Sequence, residues 1–266
     1  MKLLSKILAR GKLLFIISFV LIMTLNWVAY LLAMDNETIS NEKVNGCEIY
    51  LNARKMFFSS SGSIHTIINL IKKAQKNFER LPEGFEKYYW QGMNAFLMAE
   101  VTETTGDKRE AARKFMISSE LAQKALLYRN QFSDANRLVA DTYQRLMNYN
   151  GKKYAMSKAS EVLKLLNTAI TLDAKNYQAY ISLGTYYLYS PAIAGGSVNK
   201  AIAMFSKALE SKEEFDCFQA NVWLGKAYTK KKDVTTAKTC FQKALQIYPN
   251  SIWAKKSLED ITSSNK

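Results

Sequence analysis

The chain has 266 residues, 48% of them hydrophobic and 12% aromatic, and a formal charge of +14. That apolar share excludes a disordered chain and is enough for a real core. Three prolines and 11 glycines are too few for a sandwich of short strands joined by tight turns, so the composition points to helices.

The first element is N-terminal. Lys2, Lys6, Arg10 and Lys12 precede residues 13–34, a run of 22 residues without a charge, and Asp35 and Glu37 follow it. At 1.5 Å per residue this run spans a hydrocarbon layer of about 30 Å. It is longer than the core of a signal peptide, and a cut after Ala33 would place Leu31 at the −3 position, a poor fit. Basic flanks stay on the cytoplasmic side. The expected organisation is therefore a cytoplasmic tail (1–12), an uncleaved transmembrane anchor (13–34), a polar linker (35–45) and an extracytoplasmic domain (46–266). In a bacterium that means the inner membrane, with the domain in the periplasm. Val44-Asn45-Gly46-Cys47 is only a faint lipid-attachment motif, because a polar stretch separates it from the apolar run.

With those four charges set aside the rest is still +10. Its lysines alternate with acids, which reads as a solvated face. Outside the cytoplasm, nucleic acid is not an expected partner. Cys47, Cys217 and Cys240 match no zinc or redox spacing, and the sole histidine, His65, sits on a helical stripe. No metal, cofactor or nucleophile–base pair is expected, and so no enzyme.

The strongest signal is internal repetition. In residues 218–251, Leu224-Gly225 is followed by Tyr228, Ala237, Phe241, Ala244 and Pro249. This series resembles the tetratricopeptide repeat, a 34-residue helix pair, with Asn221 where the family has Trp. Small Gly225 and Ala237 suit close approach of helices A and B, and Pro249 stops helix B. The preceding unit reads Tyr180, Leu183, Gly184 and Tyr187, then Ala201, Phe205 and Ala208. Before it come Val139, Ala140 and Tyr143 with Val162, Leu166 and Ala169, then Tyr88 and Gly92 with Ala111 and Phe115. The first unit pairs a helix over Cys47–Phe58 with one carrying Ile67, Ile71 and Ala74, closed by Pro82. Residues 252–262 form a closing helix. The resemblance implies an all-α, right-handed superhelical solenoid of four to five irregular helix pairs behind the anchor. On that helix placement, Cys217 and Cys240 lie about six residues apart along the axis, beyond disulfide reach.

The spacing from the small residue of helix A to the first Ala or Val of helix B is 12 for Gly225–Ala237. It grows to 17 for Gly184–Ala201, 22 for Ala140–Val162 and 19 for Gly92–Ala111. Either these helices are longer, or insertions gather on the A–B edge, often a binding face. Pro191 and Gly195-Gly196 mark the 189–197 segment as a rigid turn. The stretch from Tyr187 to Glu210 also resembles bacterial TRAP-transporter-associated tetratricopeptide proteins, which implies partnership with a periplasmic binding protein of a solute importer.

The tetratricopeptide resemblance puts helix A on the concave surface. Its inward positions are Tyr89, Met93, Phe96 and Leu97, then Asp134, Arg137, Asp141, Gln144 and Arg145. Next come Gln178, Ile181, Thr185, Leu188 and Tyr189, and last Gln219, Val222, Lys226, Thr229 and Lys230. A protein or peptide partner is expected in this groove or on the A–B edge. The other functional reading is an accessory of a solute transporter that holds a small apolar or anionic ligand, which requires an enclosed pocket. Tyr89, Met93 and Phe96 also fit plain packing against N-terminal helices.

Overall fold

The computed structural model describes residues 38–263. The anchor and basic tail expected at 1–34 lie outside them. Among the described residues, no helix is long and apolar enough to cross a membrane.

The described chain is helical, with no strand. Helix α1 covers 38–59, followed by α2 (Ile64–Glu79), α3 (Phe85–Thr104), α4 (Lys108–Tyr128) and α5 (Ser133–Leu172). Then come α6 (Tyr177–Tyr189), α7 (Val198–Ala208), α8 (Glu214–Lys230), α9 (Val234–Ile247) and α10 (Ile252–Ser263). Ser63, Asp107, Asn176, Ser197 and Asp233 start α2, α4, α6, α7 and α9, each side chain accepting a backbone N–H of the first turn. Each such cap stabilises its helix by about 1 kcal/mol. Apolar spacing decides the buried face: Ile67, Ile71, Ala74 and Phe78 form the buried stripe of α2.

Paired in order, α1–α2, α3–α4, the two arms of α5, α6–α7 and α8–α9 make five A–B pairs, and α10 packs on α8 and α9. The linker expected over 35–45 is, from residue 38 on, part of α1. Its polar residues are the outer face of a helix: Glu42 pairs with Arg80 at 2.8 Å and Lys43 with Glu86 at 3.1 Å. Cys47, Cys217 and Cys240 are free thiols.

The irregular spacings have two causes. In α3–α4 the extra residues are helical, with only Thr105–Asp107 between the elements. In α5 they are helical in both arms, which meet at Gly151 (φ 75°, ψ −178°), a backbone setting that needs glycine. In the fourth pair the extra residues are a loop. Pro191, a 3-10 turn over Ala192–Ala194 and Gly195 (φ 85°) fold it back on α6. A Cβ on Gly196 would lie 1.9 Å from the Ser190 carbonyl oxygen. Ser197 N–H donates to the Tyr187 carbonyl at 2.8 Å, and the Tyr186 hydroxyl to that of Ala194 at 2.9 Å.

The solenoid closes on itself. Phe58 of α1 packs on Phe215 of α8 (5.0 Å between ring centroids) and Trp253 of α10 (6.0 Å). Arg54 lies 4.1 Å over the Phe215 ring, and Lys55 is 3.7 Å from Glu214. The Ile252 N–H donates to the Ser60 hydroxyl at 3.0 Å. Side chains of α1, α2, α8, α9 and α10 share one apolar core. Open solenoids leave two apolar ends to be capped; here the first pair and the last cover each other.

Candidate functional site

Closure turns the concave surface into a cavity of about 790 Å³, within the range of small-molecule sites. The A helices supply its wall at helical spacing: Tyr50, Arg54 and Phe58 from α1, and Tyr89, Met93, Phe96 and Glu100 from α3. The first arm of α5 gives Asp134, Arg137, Asp141, Gln144 and Arg145. Gln178, Ile181, Thr185 and Tyr189 come from α6, and Phe215, Gln219 and Trp223 from α8. The lengthened ends of α5 add Met147 and Met156, and the 190–197 loop adds Pro191 and Ala194, so the A–B edge forms one rim.

Most of the residues picked from sequence therefore meet in one place. Leu188 does not: it is 1% exposed and packs among α6, α7 and α8. Val222 is likewise core. Lys226, Thr229 and Lys230 lie outside the lining. The Lys226 ammonium sits 5.9 Å over the Trp223 ring, and Lys230 donates to the Leu188 carbonyl. The α1 residues, Glu100 and Trp223 were missed. The first unit lacks the Leu-Gly-Tyr marks that fix an inward register, and closure is a tertiary event.

The polar floor is a buried ion network. Arg137, 6% exposed, donates to Asp134 through Nε and, at 3.0 Å, through Nη2, and to Asp141 through Nη1. The Tyr89 hydroxyl and, at 3.3 Å, Asn176 Nδ2 also donate to Asp134. Burial pushes the Asp134 carboxyl up, but Arg137, Tyr89 and Asn176 together hold it below its usual range. Asp141 moves the other way, because burial outweighs Arg137. Glu100 is raised to about 7, by burial first, against Arg145 and with Glu103 and Asp141 reinforcing. Its closest cation, Arg145 Nη2, is 3.9 Å away and is itself bonded to Glu103. Gln144 Nε2 donates to the Ser182 carbonyl at 3.2 Å and ties α5 to α6. Three lining residues hold buried polar atoms with no partner among the described residues: Trp90 Nε1, Arg145 Nε and Gln219 Oε1.

Residues 219–251 match the tetratricopeptide repeat family. Among solved structures, a thermophilic TPR protein of Thermus thermophilus aligns over 85% of this chain and 99% of its own, at 16% identity and a TM-score of 0.59. YrrB, described as a TPR protein with an unusual peptide-binding site, aligns over 79% of this chain and 90% of its own, at 15% identity and a TM-score of 0.41. No curated protein matches. At these identities the likeness speaks to the fold. The matched repeat spans most of α8 and α9, and the helix-pair architecture around it is a tetratricopeptide-repeat fold.

Proposed function

We propose that this protein is a non-catalytic tetratricopeptide scaffold that holds a small ligand in its central cavity and meets a protein partner at its A–B rim. The carrying observation is the cavity itself. A peptide groove is read along an extended face, whereas here Phe58, Phe215 and Trp253 join the two ends and gather the concave residues around one half-open cavity. Aromatic walls with a few convergent polar groups are the usual make-up of a small-molecule site.

The rim supports the partner half of the reading. Ile193 at the tip of the fixed loop is 97% exposed and Met156 on the second arm of α5 is 80% exposed. We further propose that the charge-free segment at 13–34 tethers the domain outside the cytoplasm. The local likeness over Tyr187–Glu210 favours service to a solute importer.

Native mass spectrometry of the purified full chain tests the ligand half. A co-purifying small molecule is expected in the wild type and should be lost in Thr185→Trp, which fills the cavity. An empty wild type, or a Thr185→Trp chain that retains the molecule, defeats it. Ile193→Asp with Met156→Asp should abolish partner pull-down while leaving the ligand bound. Unchanged pull-down defeats the rim.

A further inference from the structure

The arginines of the cavity are shared unevenly among its carboxylates. Arg137 stands between two carboxylates, Asp134 and Asp141, and Arg145 is bonded to Glu103. Glu100 is left without a base of its own, and among the described residues no hydrogen bond reaches its carboxylate. Arg54 is a cation of the wall, but it is engaged over the rings of Phe215 and Tyr50. With it included, the lining holds three acids, Glu100, Asp134 and Asp141, and three arginines, and the surplus comes from Glu103 behind the wall, which takes Arg145. A buried surplus anion is costly unless it takes up a proton or a cation.

The walls beside that surplus are aromatic. Tyr50 and Trp90 meet edge to face at 5.9 Å, and Tyr89 and Trp90 at 5.2 Å. Tyr50, Tyr89 and Trp90 line the cavity together with Arg54, Arg137, Glu100 and Asp134, which puts the rings and the ion network in one compartment. Ring faces attract a cation, most strongly where water is excluded.

We infer that the cavity is built for a small organic cation, an ammonium group on an apolar body, with Glu100 as its counter-ion and Tyr50, Tyr89 and Trp90 around it. This rests on the small-ligand reading and narrows it, against the anionic ligand that the sequence allowed. Burial first, and then Glu103 of α3 and Asp141 of α5, raise the Glu100 carboxyl toward neutrality against Arg145 and Arg137 of α5, with Tyr50 of α1 also facing it. A bound ammonium takes the place of the proton. Affinity therefore rises with pH as Glu100 ionises, between about 6 and 8.

Calorimetric titration of the full chain at pH 8 with three matched probes tests it: 2-phenylethylamine, 2-phenylethanol and 3-phenylpropionate. The amine should bind at least tenfold more tightly than the alcohol, and the acid should bind least. Glu100→Gln should lose at least tenfold in amine affinity, keep the alcohol affinity, and lose the rise between pH 6 and 8. Retained alcohol binding also shows that the variant is folded. Equal binding of amine and alcohol overturns the cation while leaving the small-ligand reading intact. So does tighter binding of the acid, or a Glu100→Gln variant that keeps its amine affinity. If none of the three binds at millimolar concentration the cation is overturned as well, and the fate of the small-ligand reading then lies with the co-purification experiment alone.

Discussion

In α6–α7 and α8–α9 the glycine of helix A faces a phenylalanine of helix B: a Cβ on Gly184 would meet Phe205 at 2.4 Å, and one on Gly225 would meet Phe241 at 2.5 Å. In α3–α4 the corresponding Gly92 faces backbone instead, 3.3 Å from the Ala122 nitrogen, and its carbonyl accepts from the Ser118 hydroxyl at 2.7 Å. Phe115, the residue the repeat pattern would place there, packs on Phe96 further along. The difference follows from where extra residues went. A loop insertion, as in the fourth pair, leaves the helix crossing untouched. Lengthening both helices slides the contact by about a turn. The C-terminal pairs thus keep the ordinary repeat interface, while the earlier pairs depart from it and supply the ion network of the cavity.

The sharpest break in this comparison comes from removing one anchor on each side. Arg137→Met leaves Asp134 and Asp141 buried without their cation and should cost about 3–5 kcal/mol. Phe241→Ala should cost a similar amount through an unfilled cavity, about 3–5 kcal/mol. The two losses should differ in kind. At pH 4, where the freed carboxylates protonate, the Arg137→Met deficit should shrink and the Phe241→Ala deficit should not. Urea unfolding at pH 4 and pH 7 measures both, and equal pH behaviour would deny the ion network its role.

Closure is tested next. Phe58→Ala should cost about 3 kcal/mol, and it should raise amide exchange in α1 and α10 together while α4 to α7 stay protected. Exchange confined to α1 would mean that the ends do not support each other.

The glycines give a smaller, more selective effect. Gly184→Ala and Gly225→Ala should each destabilise by about 1–3 kcal/mol through overpacking against phenylalanine. Gly92→Ala should fall within about 1 kcal/mol of wild type, since its contact is looser and alanine favours the helix by nearly that much. A Gly92→Ala loss as large as the other two would mean that the pairs share one interface after all.

How far this architecture could be read from residues follows the same divide. Gly225, Ala237 and Phe241 announce their packing because small and large residues sit at fixed spacing on two helices. The 189–197 turn was equally readable, since Pro191 and Gly196 permit little else there. The lengthening of α3, α4 and α5 was counted but could not be told from loop insertion, because a surplus of residues carries no sign of its conformation. The groove was read helix by helix, which found Tyr89, Arg137 and Ile181. It missed Tyr50, Arg54 and Phe58, which reach the cavity only because α1 docks on α8 and on α10, the latter through a contact 192 residues away in sequence. Leu188 was misplaced because the helical face that carries Ile181 and Thr185 into the cavity turns Leu188 toward Phe205 and Leu224 instead. Lys226 was misplaced because α8 faces the cavity only along Phe215, Gln219 and Trp223.

The smallest expected effect concerns Glu100. A carboxyl raised from 4.5 to about 7 in the folded chain holds its proton more tightly there than in the unfolded chain. Between those values the unfolded chain has ionised and the folded one has not, so stability falls as pH rises from about 4.5 to 7 and levels off above. With the side chain about a fifth exposed, solvent screening limits the span to roughly 1–2 kcal/mol. Glu100→Gln has no such proton to lose. It should match the wild type near pH 4.5, exceed it by roughly that span at pH 8, and do so without ligand. Thermal unfolding of both chains from pH 4.5 to 8 makes the comparison. Parallel curves would show that Glu100 is satisfied by its neighbours and that the irregular half holds no surplus charge.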